Sequence, residues 1–199
     1  MMDIFKPTDK SNFIPMLRTE ILLRSLNKTP LWNIPKRNVL TKLLLGSIDG
    51  TAYALQPTFK VSDGKNIHIG KNFFANWNCT ILDHARVSIG DNVMLAPNVV
   101  ITSVGHPKWY EDRIVRIMEN SFEPKKRGNI EVVAPVNIGN NVWIASNSIV
   151  CAGVTIGDNT IIGAGSVVTK DIPANVLACG VPCKVVREIT ESDKMNIFE

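Results

Sequence analysis

From Ile138 onward an aliphatic residue returns at every sixth position: Ile138, Ile144, Val150, Ile156, Ile162 and Val168. A period of six is neither the i, i+3, i+4, i+7 spacing of an amphipathic helix nor the alternation of a simple strand. It suits a coil of short strands in which each hexad forms one face of a triangular prism. The aliphatic residue points inward, and Gly, Asn or Asp supplies the corner, where the backbone needs dihedrals that most side chains resist. The same step runs upstream through Ile69, Ala75, Ile81 and Val87, then slips by two residues to Ile89, Leu95 and Ile101. Four related phrases restart the coils: IGKNFF at 69, IGDNVM at 89, IGNNVW at 138 and IGDNTI at 156. Ile89 and Ile138 are 49 residues apart where two coils of three hexads take 36, so the excess forms a long loop over 103–135. A loop of that length inside a compact domain is usually functional.

This repeat gives a mainly β chain with three parts: a helical segment over 1–60, a prism over 61–189 and a tail over 190–199. Phe13, Leu17, Ile21 and Leu22 stand at helical spacing between about Asn12 and Asn27, and Val39 to Leu45 make a second helix, with Pro30 and Pro35 separating the two. After Val168 the hexads are lost at DIPAN, and Val176 to Ile189 reads as one or two strands closing the prism end, as solenoids require. The residues just before the inward positions point outward and include Trp143, Ile149, Ile161 and Val167. An apolar outer wall implies that another subunit lies against it.

Composition narrows the function classes. The 199 residues are 45% hydrophobic and 20% charged with a net charge of +4, an ordinary globular balance too weakly basic to argue for nucleic acid. Lys125, Lys126 and Arg127 form the only basic run, read as a solvated loop, and no aromatic stacking platform accompanies it. No apolar run approaches the roughly 20 residues of a membrane span. The opening MMDIFKPTDK lacks a signal-peptide core, so the expected location is cytoplasmic. Cys79, Cys151, Cys179 and Cys183 show no CxxC pair and read as small buried hydrophobes.

The chained phrases NFFANWNCTILD, GHP, IGNNVWIASN, VTIGDNTIIGAGSVVTKDIPANV and GVPCKVVREI resemble the galactoside and maltose O-acetyltransferases of the hexapeptide-repeat acyltransferases. The resemblance covers about Asn66 to Ile189 outside the long loop. It implies a left-handed parallel β-helix, a homotrimer with active sites between subunits, acetyl-CoA as donor, a small-molecule or glycan acceptor and no metal. GHP places the family's catalytic histidine at His106. A sugar hydroxyl ionises near the pKa of water, about 15.7, and attacks poorly unless a base takes its proton. An imidazole of pKa about 6.5 suits that task.

By the same resemblance Asn76 orients the acceptor or donates to the developing oxyanion, and the backbone of Ser146 contacts both donor and histidine. Were the Ser146 carbonyl to hold one imidazole nitrogen, the other would be free as base. Ala96, Ala164, Thr169, Lys170, Lys184 and Arg187 fall on acetyl-CoA positions: the alanines leave room for the thin pantetheine arm, and Lys184 and Arg187 meet the phosphates. Lys184 stands where the family often has Arg, which keeps charge without the bidentate fork. Trp143 walls the donor cleft or packs between subunits.

On the acceptor side Ser62 matches the family, while three features depart from it. Pro7 and Met16 occupy the positions of an acid and an arginine, His84 replaces a second aspartate after Asp83, and the loop after His106 is longer. These departures predict poor use of simple galactosides. Trp109, Tyr110, Arg113 and Arg116 in that loop suggest a larger or anionic glycan. Related acyltransferases acting on xenobiotics, serine or amino sugars are the alternative. A metal enzyme using His68, His84 and His106, or a scaffold without activity, are more remote ones.

Overall fold

The structure, a computed structural model, describes residues 3–5, 13–50, 52–117 and 126–195. Strand β1 (Asp3–Phe5) precedes helices α1 (Phe13–Lys28) and α2 (Ile34–Leu44). Helix α1 buries Thr19 and Leu26 and half-buries Leu22 and Leu23, the spacing of one helical face. Leu17 and Ile21, expected to be buried, are 43% and 57% exposed. Docking by hydrogen bonds decides the orientation. The Thr19 hydroxyl donates to the Asp63 carbonyl at 2.8 Å, while the Asn27 amide donates to and accepts from the Phe59 backbone at 2.9 and 3.0 Å. Helix α2 starts at Ile34, earlier than Val39, because Asn33 caps it by accepting the Lys36 N–H at 3.3 Å. Pro35 sits in its first turn, where the missing N–H would have had no partner.

The first coil is β2 (Ser47–Ile48), β3 (Ala54–Leu55) and β4 (Lys60–Val61); the second is β5 (Ile67–Ile69), β6 (Phe74–Ala75) and β7 (Thr80–Leu82). The third is β8 (Val87–Ile89), β9 (Met94–Leu95) and β10 (Val100–Thr102). The chain then leaves the prism through β11 (Val104–Gly105), a 3-10 turn (Tyr110–Arg113), β12 (Ile114–Ile117), β13 (Lys126–Asn129) and β14 (Glu131–Val133). It resumes with β15 (Val136–Ile138), β16 (Trp143–Ile144) and β17 (Ile149–Val150), then β18 (Thr155–Ile156), β19 (Ile161–Ile162) and β20 (Val167–Val168). A hairpin of β21 (Val176–Cys179) and β22 (Lys184–Glu188) closes the end.

Corresponding strands stack in parallel into three faces of a left-handed β-helix. The first face is β2-β5-β8-β15-β18, the second β3-β6-β9-β16-β19-β21, and the third β4-β7-β10-β17-β20. The prism therefore begins at Ser47, not at 61. Its first coil escapes a search for hexads because the step from Ile48 to Leu55 is seven residues and that from Val61 to Ile69 is eight. Every inward hexad residue named from Ile69 to Val168 is at most 3% exposed. Each such burial of an Ile, Leu or Val contributes about 1.5–3 kcal/mol relative to exposure.

Asparagine makes the corners. Asn72, Asn78, Asn92, Asn98, Asn141, Asn147, Asn159 and Asn175 all have φ between 56° and 62°, a left-handed conformation that Asn tolerates because its short amide bonds locally. Their amides also stack: Asn72 donates to Asn92, Asn92 to Asn141, Asn141 to Asn159 and Asn159 to Asn175, all at 2.8–2.9 Å. Glycine before a corner answers a different demand. A Cβ on Gly139 would lie 2.2 Å from an Asp158 carboxylate oxygen of the next coil.

Cys79 and Cys183 are buried, and burial pushes the Cys79 thiol up to about 11. Cys151 is only partly covered and Cys179 is exposed, because Cys179 ends β21 on its outward side. Lys126 and Arg127 open strand β13, paired antiparallel with β12, so this stretch is not a loop; Lys125 lies outside the described residues. Among the described residues no helix is long and apolar enough to cross a membrane.

Candidate active site

One corner of the prism, between the third and first faces, carries both eight-residue steps and the long excursion. Ser62–Asn66 leaves there after β4, Asp83–Arg86 after β7 and the 103–135 excursion after β10. The buried Asp83 organises this corner. Its Oδ1 accepts the N–H groups of Ser62 and Asp63 at 3.1 and 2.9 Å, and its Oδ2 those of Gly64 and Asn66 at 2.7 and 3.2 Å. Burial raises the Asp83 carboxyl above its ordinary range, opposed by these donors. Gly64 fits this loop as few residues could: its φ is +85° and a Cβ would stand 2.6 Å from the Leu44 carbonyl oxygen. On the far side of His84, the Ala85 N–H donates to the buried Ser103 hydroxyl at 2.8 Å, and that hydroxyl donates to the Leu82 carbonyl at 2.9 Å.

A cavity of about 370 Å³ opens over this corner, lined by Met16, Ser62, Asp63, Asn66, Asp83 and His84 together with Pro15. Three of the expected acceptor-side positions, Met16, Ser62 and His84, thus share one pocket; Pro7 lies outside the described residues. His84 is fixed by Glu131 on β14, with 2.7 Å between imidazole Nδ1 and a carboxylate oxygen.

His106 follows β11 and is exposed. Its Nδ1 donates to the Ile130 carbonyl at 2.8 Å. The Ile130 N–H in turn donates to the Arg113 carbonyl at 2.9 Å. The Arg113 guanidinium closes the turn after His106 by donating to the Pro107 and Lys108 carbonyls at 2.9 and 3.0 Å. Strand β14 is itself held on both edges, by β11 and by β1. Consecutive residues Ile130 and Glu131 therefore anchor two histidines that the prism supplies from different coils.

The other expected positions gather elsewhere. Asn76, Ala96, Ser146 and Ala164 all lie at the corner between the second and third faces, in successive coils. Asn76 is not the strained corner residue; Asn78 is. The Asn76 side-chain oxygen accepts the Trp77 N–H at 2.8 Å, which leaves its amide NH2 as a donor. The Ser146 carbonyl accepts the Gly165 N–H at 2.9 Å as part of coil stacking, and the His106 Nδ1 is bonded to the Ile130 carbonyl. Thr169 and Lys170 follow β20, and Lys184 and Arg187 stand on β22, all exposed. Arg187 is held bidentately by Asp193 at 2.8 and 2.7 Å, and this pairing draws the Asp193 carboxyl down to about 2. Trp143 is 43% exposed on the second face, between Met94 and Ile161 in neighbouring coils.

Reading the sequence missed Asp83 as organiser, Ile130 and Glu131, and it took Arg113 for an acceptor contact where the structure has it brace the turn after His106. The signal for the corner was present: the steps Val61 to Ile69 and Ile81 to Ile89 are each eight residues, and both mark it. Nothing in the spacing reveals which strand of the excursion returns beside His106. The three histidines have separate partners, His68 bonding the Ser47 hydroxyl at 3.0 Å, and among the described residues no three His, Cys, Asp or Glu side chains group as a metal ion needs.

Comparison with known proteins agrees with this fold. Residues 135–170 match the model of the bacterial transferase hexapeptide (six repeats), and 77–103 that of the hexapeptide repeat of succinyl-transferase. The chain is 44% identical to a galactoside O-acetyltransferase of Escherichia coli K12 over 194 residues, 96% of this chain and 89% of the other. A solved galactoside acetyltransferase in complex with coenzyme A superposes with a TM-score of 0.86 at 41% identity, covering 99% of this chain and 92% of that one. A maltose O-acetyltransferase from Clostridium difficile 630 gives 0.83 at 40%, covering 95% and 94%. With this repeat, this fold and this likeness along nearly its whole length, the chain belongs to the hexapeptide-repeat, left-handed β-helix acetyltransferases, closely related to the galactoside and maltose O-acetyltransferases.

Proposed function

We propose that the chain is an acetyl-CoA-dependent O-acetyltransferase in which a hydroxyl of a sugar or glycan attacks the thioester directly and His106 is the general base. The observation that carries this reading is the bond from His106 Nδ1 to the Ile130 carbonyl. A carbonyl oxygen only accepts, so the ring proton sits on Nδ1 and the neutral imidazole presents an unprotonated Nε2. The acceptor oxygen forms its bond to the thioester carbonyl carbon as Nε2 takes its proton. The negative charge moves onto the carbonyl oxygen, which the Asn76 amide can stabilise by donating. As the charge returns, the carbon–sulfur bond breaks, and the coenzyme A thiolate recovers the proton from the imidazolium. No covalent bond to the enzyme is formed.

Ala96, Ser146 and Ala164 fit a narrow pantetheine arm along the corner between the second and third faces. Lys170, Lys184 and Arg187, with Thr169 beside them, provide charge and hydrogen bonds for phosphates, and Trp143 provides an apolar wall. His106 and the pocket at Ser62 and His84 lie across the third face from Asn76 and the alanines. That separation, with the apolar outward rows of the second and third faces, supports a homotrimer whose sites form between subunits.

The test is release of free coenzyme A from acetyl-CoA by the purified protein with sugars, amino sugars, serine and hydroxylated antibiotics as acceptors. Turnover with sugar hydroxyls is expected. Turnover confined to amines, or none with any acceptor, would overturn the reading.

A further inference from the structure

We infer that His84 and Glu131 act as one specificity-determining pair: Glu131 is a positioning residue that holds His84 toward the acceptor and, by its charge, disfavours acceptors carrying a carboxylate. The inference rests on the function proposed above.

The placement of His84 is over-determined. Its backbone is gripped on one side by Asp83, with four N–H groups on its carboxylate, and on the other by Ala85 on the Ser103 hydroxyl. The side chain is then fixed by Glu131 at 2.7 Å, with the two side chains 30% and 19% exposed. A partly covered pair at that distance loses less to solvent than a surface pair does. With Nδ1 engaged, Nε2 is the polar ring atom left to meet a ligand in the cavity that His84 lines with Ser62.

Glu131 arrives from the excursion, not from the prism, and its neighbour Ile130 holds the catalytic histidine. Reading of the acceptor at His84 and proton acceptance at His106 are therefore set by adjacent residues, Ile130 just before β14 and Glu131 at its start. The local charge is negative: the lining holds Asp63 and Asp83, Glu131 stands behind His84, and the lining includes no lysine or arginine. Among nearby cations Lys65 is engaged with the Leu45 carbonyl, Arg18 with that of Leu43 and Arg113 with those of Pro107 and Lys108, while Arg86 donates to the Ser88 hydroxyl and is not in the lining. The engagement of Arg113 with main-chain carbonyls weighs against the expectation of an anionic glycan; the side chain of Arg116 lies outside the described ones.

The experiment compares methyl glucoside with methyl glucuronide, which differ by one carboxylate, as acceptors for the wild type and for Glu131→Ala, Glu131→Gln, His84→Ala and Glu131→Ala/His84→Ala. The wild type should prefer the glucoside. Glu131→Ala should raise the KM for glucoside about tenfold or more, with kcat and the KM for acetyl-CoA nearly unchanged, because only a hydrogen bond orienting the acceptor is lost. Glu131→Gln keeps a carbonyl for Nδ1, so it should restore most of the glucoside KM while narrowing the discrimination against glucuronide. The double variant should be no worse than either single variant, since the two residues act through one contact. Preference of the wild type for glucuronide, additive losses in the double variant, or a fall in kcat together with a change in the KM for acetyl-CoA would overturn the pair. If the wild type turns over neither glycoside, the enzymatic reading fails for these sugars, and NMR titration of the protein with the same two compounds decides the pocket. Tighter glucoside binding that weakens in Glu131→Ala supports the inference; no binding of either, or tighter glucuronide binding, sinks it.

Discussion

The proton on His106 Nδ1 is held by a carbonyl from 24 residues further along the chain, so the tautomer and orientation of this imidazole are set by the excursion and not by its own turn. If His106 is the base proposed above, replacing it by Ala removes proton transfer from the transition state alone. The expected outcome is a kcat lower by about 10² to 10⁴ with little change in the KM for acetyl-CoA, checked by steady-state kinetics. Asp83 is different in kind, since it touches neither proton nor thioester and serves by satisfying backbone donors. Asp83→Ala leaves those four N–H groups without their acceptor. It should lower the stability by about 3 kcal/mol, read from the urea midpoint at unchanged slope, and disorder the pocket around Ser62. The position of His106 at the mouth of the excursion was legible through its motif. Asp83 was not identified as an organiser, because its work depends on five residues 17–21 positions upstream folding back beneath it, which no local pattern encodes.

At the scale of elements, the corner ladder and the closing hairpin each yield a measurable expectation. Asn141 combines a φ of 56° with side-chain bonds to Asn92 and Asn159. Asn141→Ala should cost about 2 kcal/mol from left-handed strain and lost bonds, and Asn141→Gly clearly less, because glycine removes the bonds but not the conformation. Thermal unfolding of the two variants checks the order. In the hairpin, Arg187 holds the Asp193 carboxyl at about 2, below its ordinary value of 3.8. A depressed carboxyl contributes to the fold above the ordinary value, and that contribution is lost as pH falls through about 2. NMR titration of Asp193 should show that midpoint and its return toward the ordinary value in Arg187→Ala. If Arg187 turns to coenzyme A phosphates, saturating acetyl-CoA should move the midpoint upward as well. The hexads made the strands of the later coils readable, since one inward residue per face is the whole requirement of a narrow prism. They could not reveal the first coil, whose irregular steps accommodate the docking of α1 and α2, nor the strands of the excursion, which pair with each other and with β1 outside the repeat.

For the whole molecule, the three faces differ in what they show to the outside. The first presents Ser47, His68, Ser88, Asn137 and Thr155; the second presents Ala54, Phe74, Met94, Trp143, Ile161 and Leu177; the third presents Lys60 and Thr80 in its first two coils, then Val100, Ile149 and Val167. Two apolar faces beside one polar face suit an assembly in which each subunit meets two neighbours. Ile149→Asp places a charge in the middle of one such face and should convert a trimer of the wild type into smaller species or unfold it, as light scattering would show; a monomeric wild type would refute the assembly. The excursion also divides the prism in another respect. Most stacked coils pair residues about twenty positions apart, but β8, β9 and β10 meet β15, β16 and β17 across 49. Loop closure over that span costs only about 0.8 kcal/mol more than over twenty residues, yet a solenoid communicates only between neighbours, so any weakness there is felt by everything on either side. The junction between the third and fourth coils is thus a seam between two separately propagating blocks. Amide exchange of Ile101 and Ile144, buried on either side of it, should report opening at lower free energy than Ile156 and Ile162 within the later block.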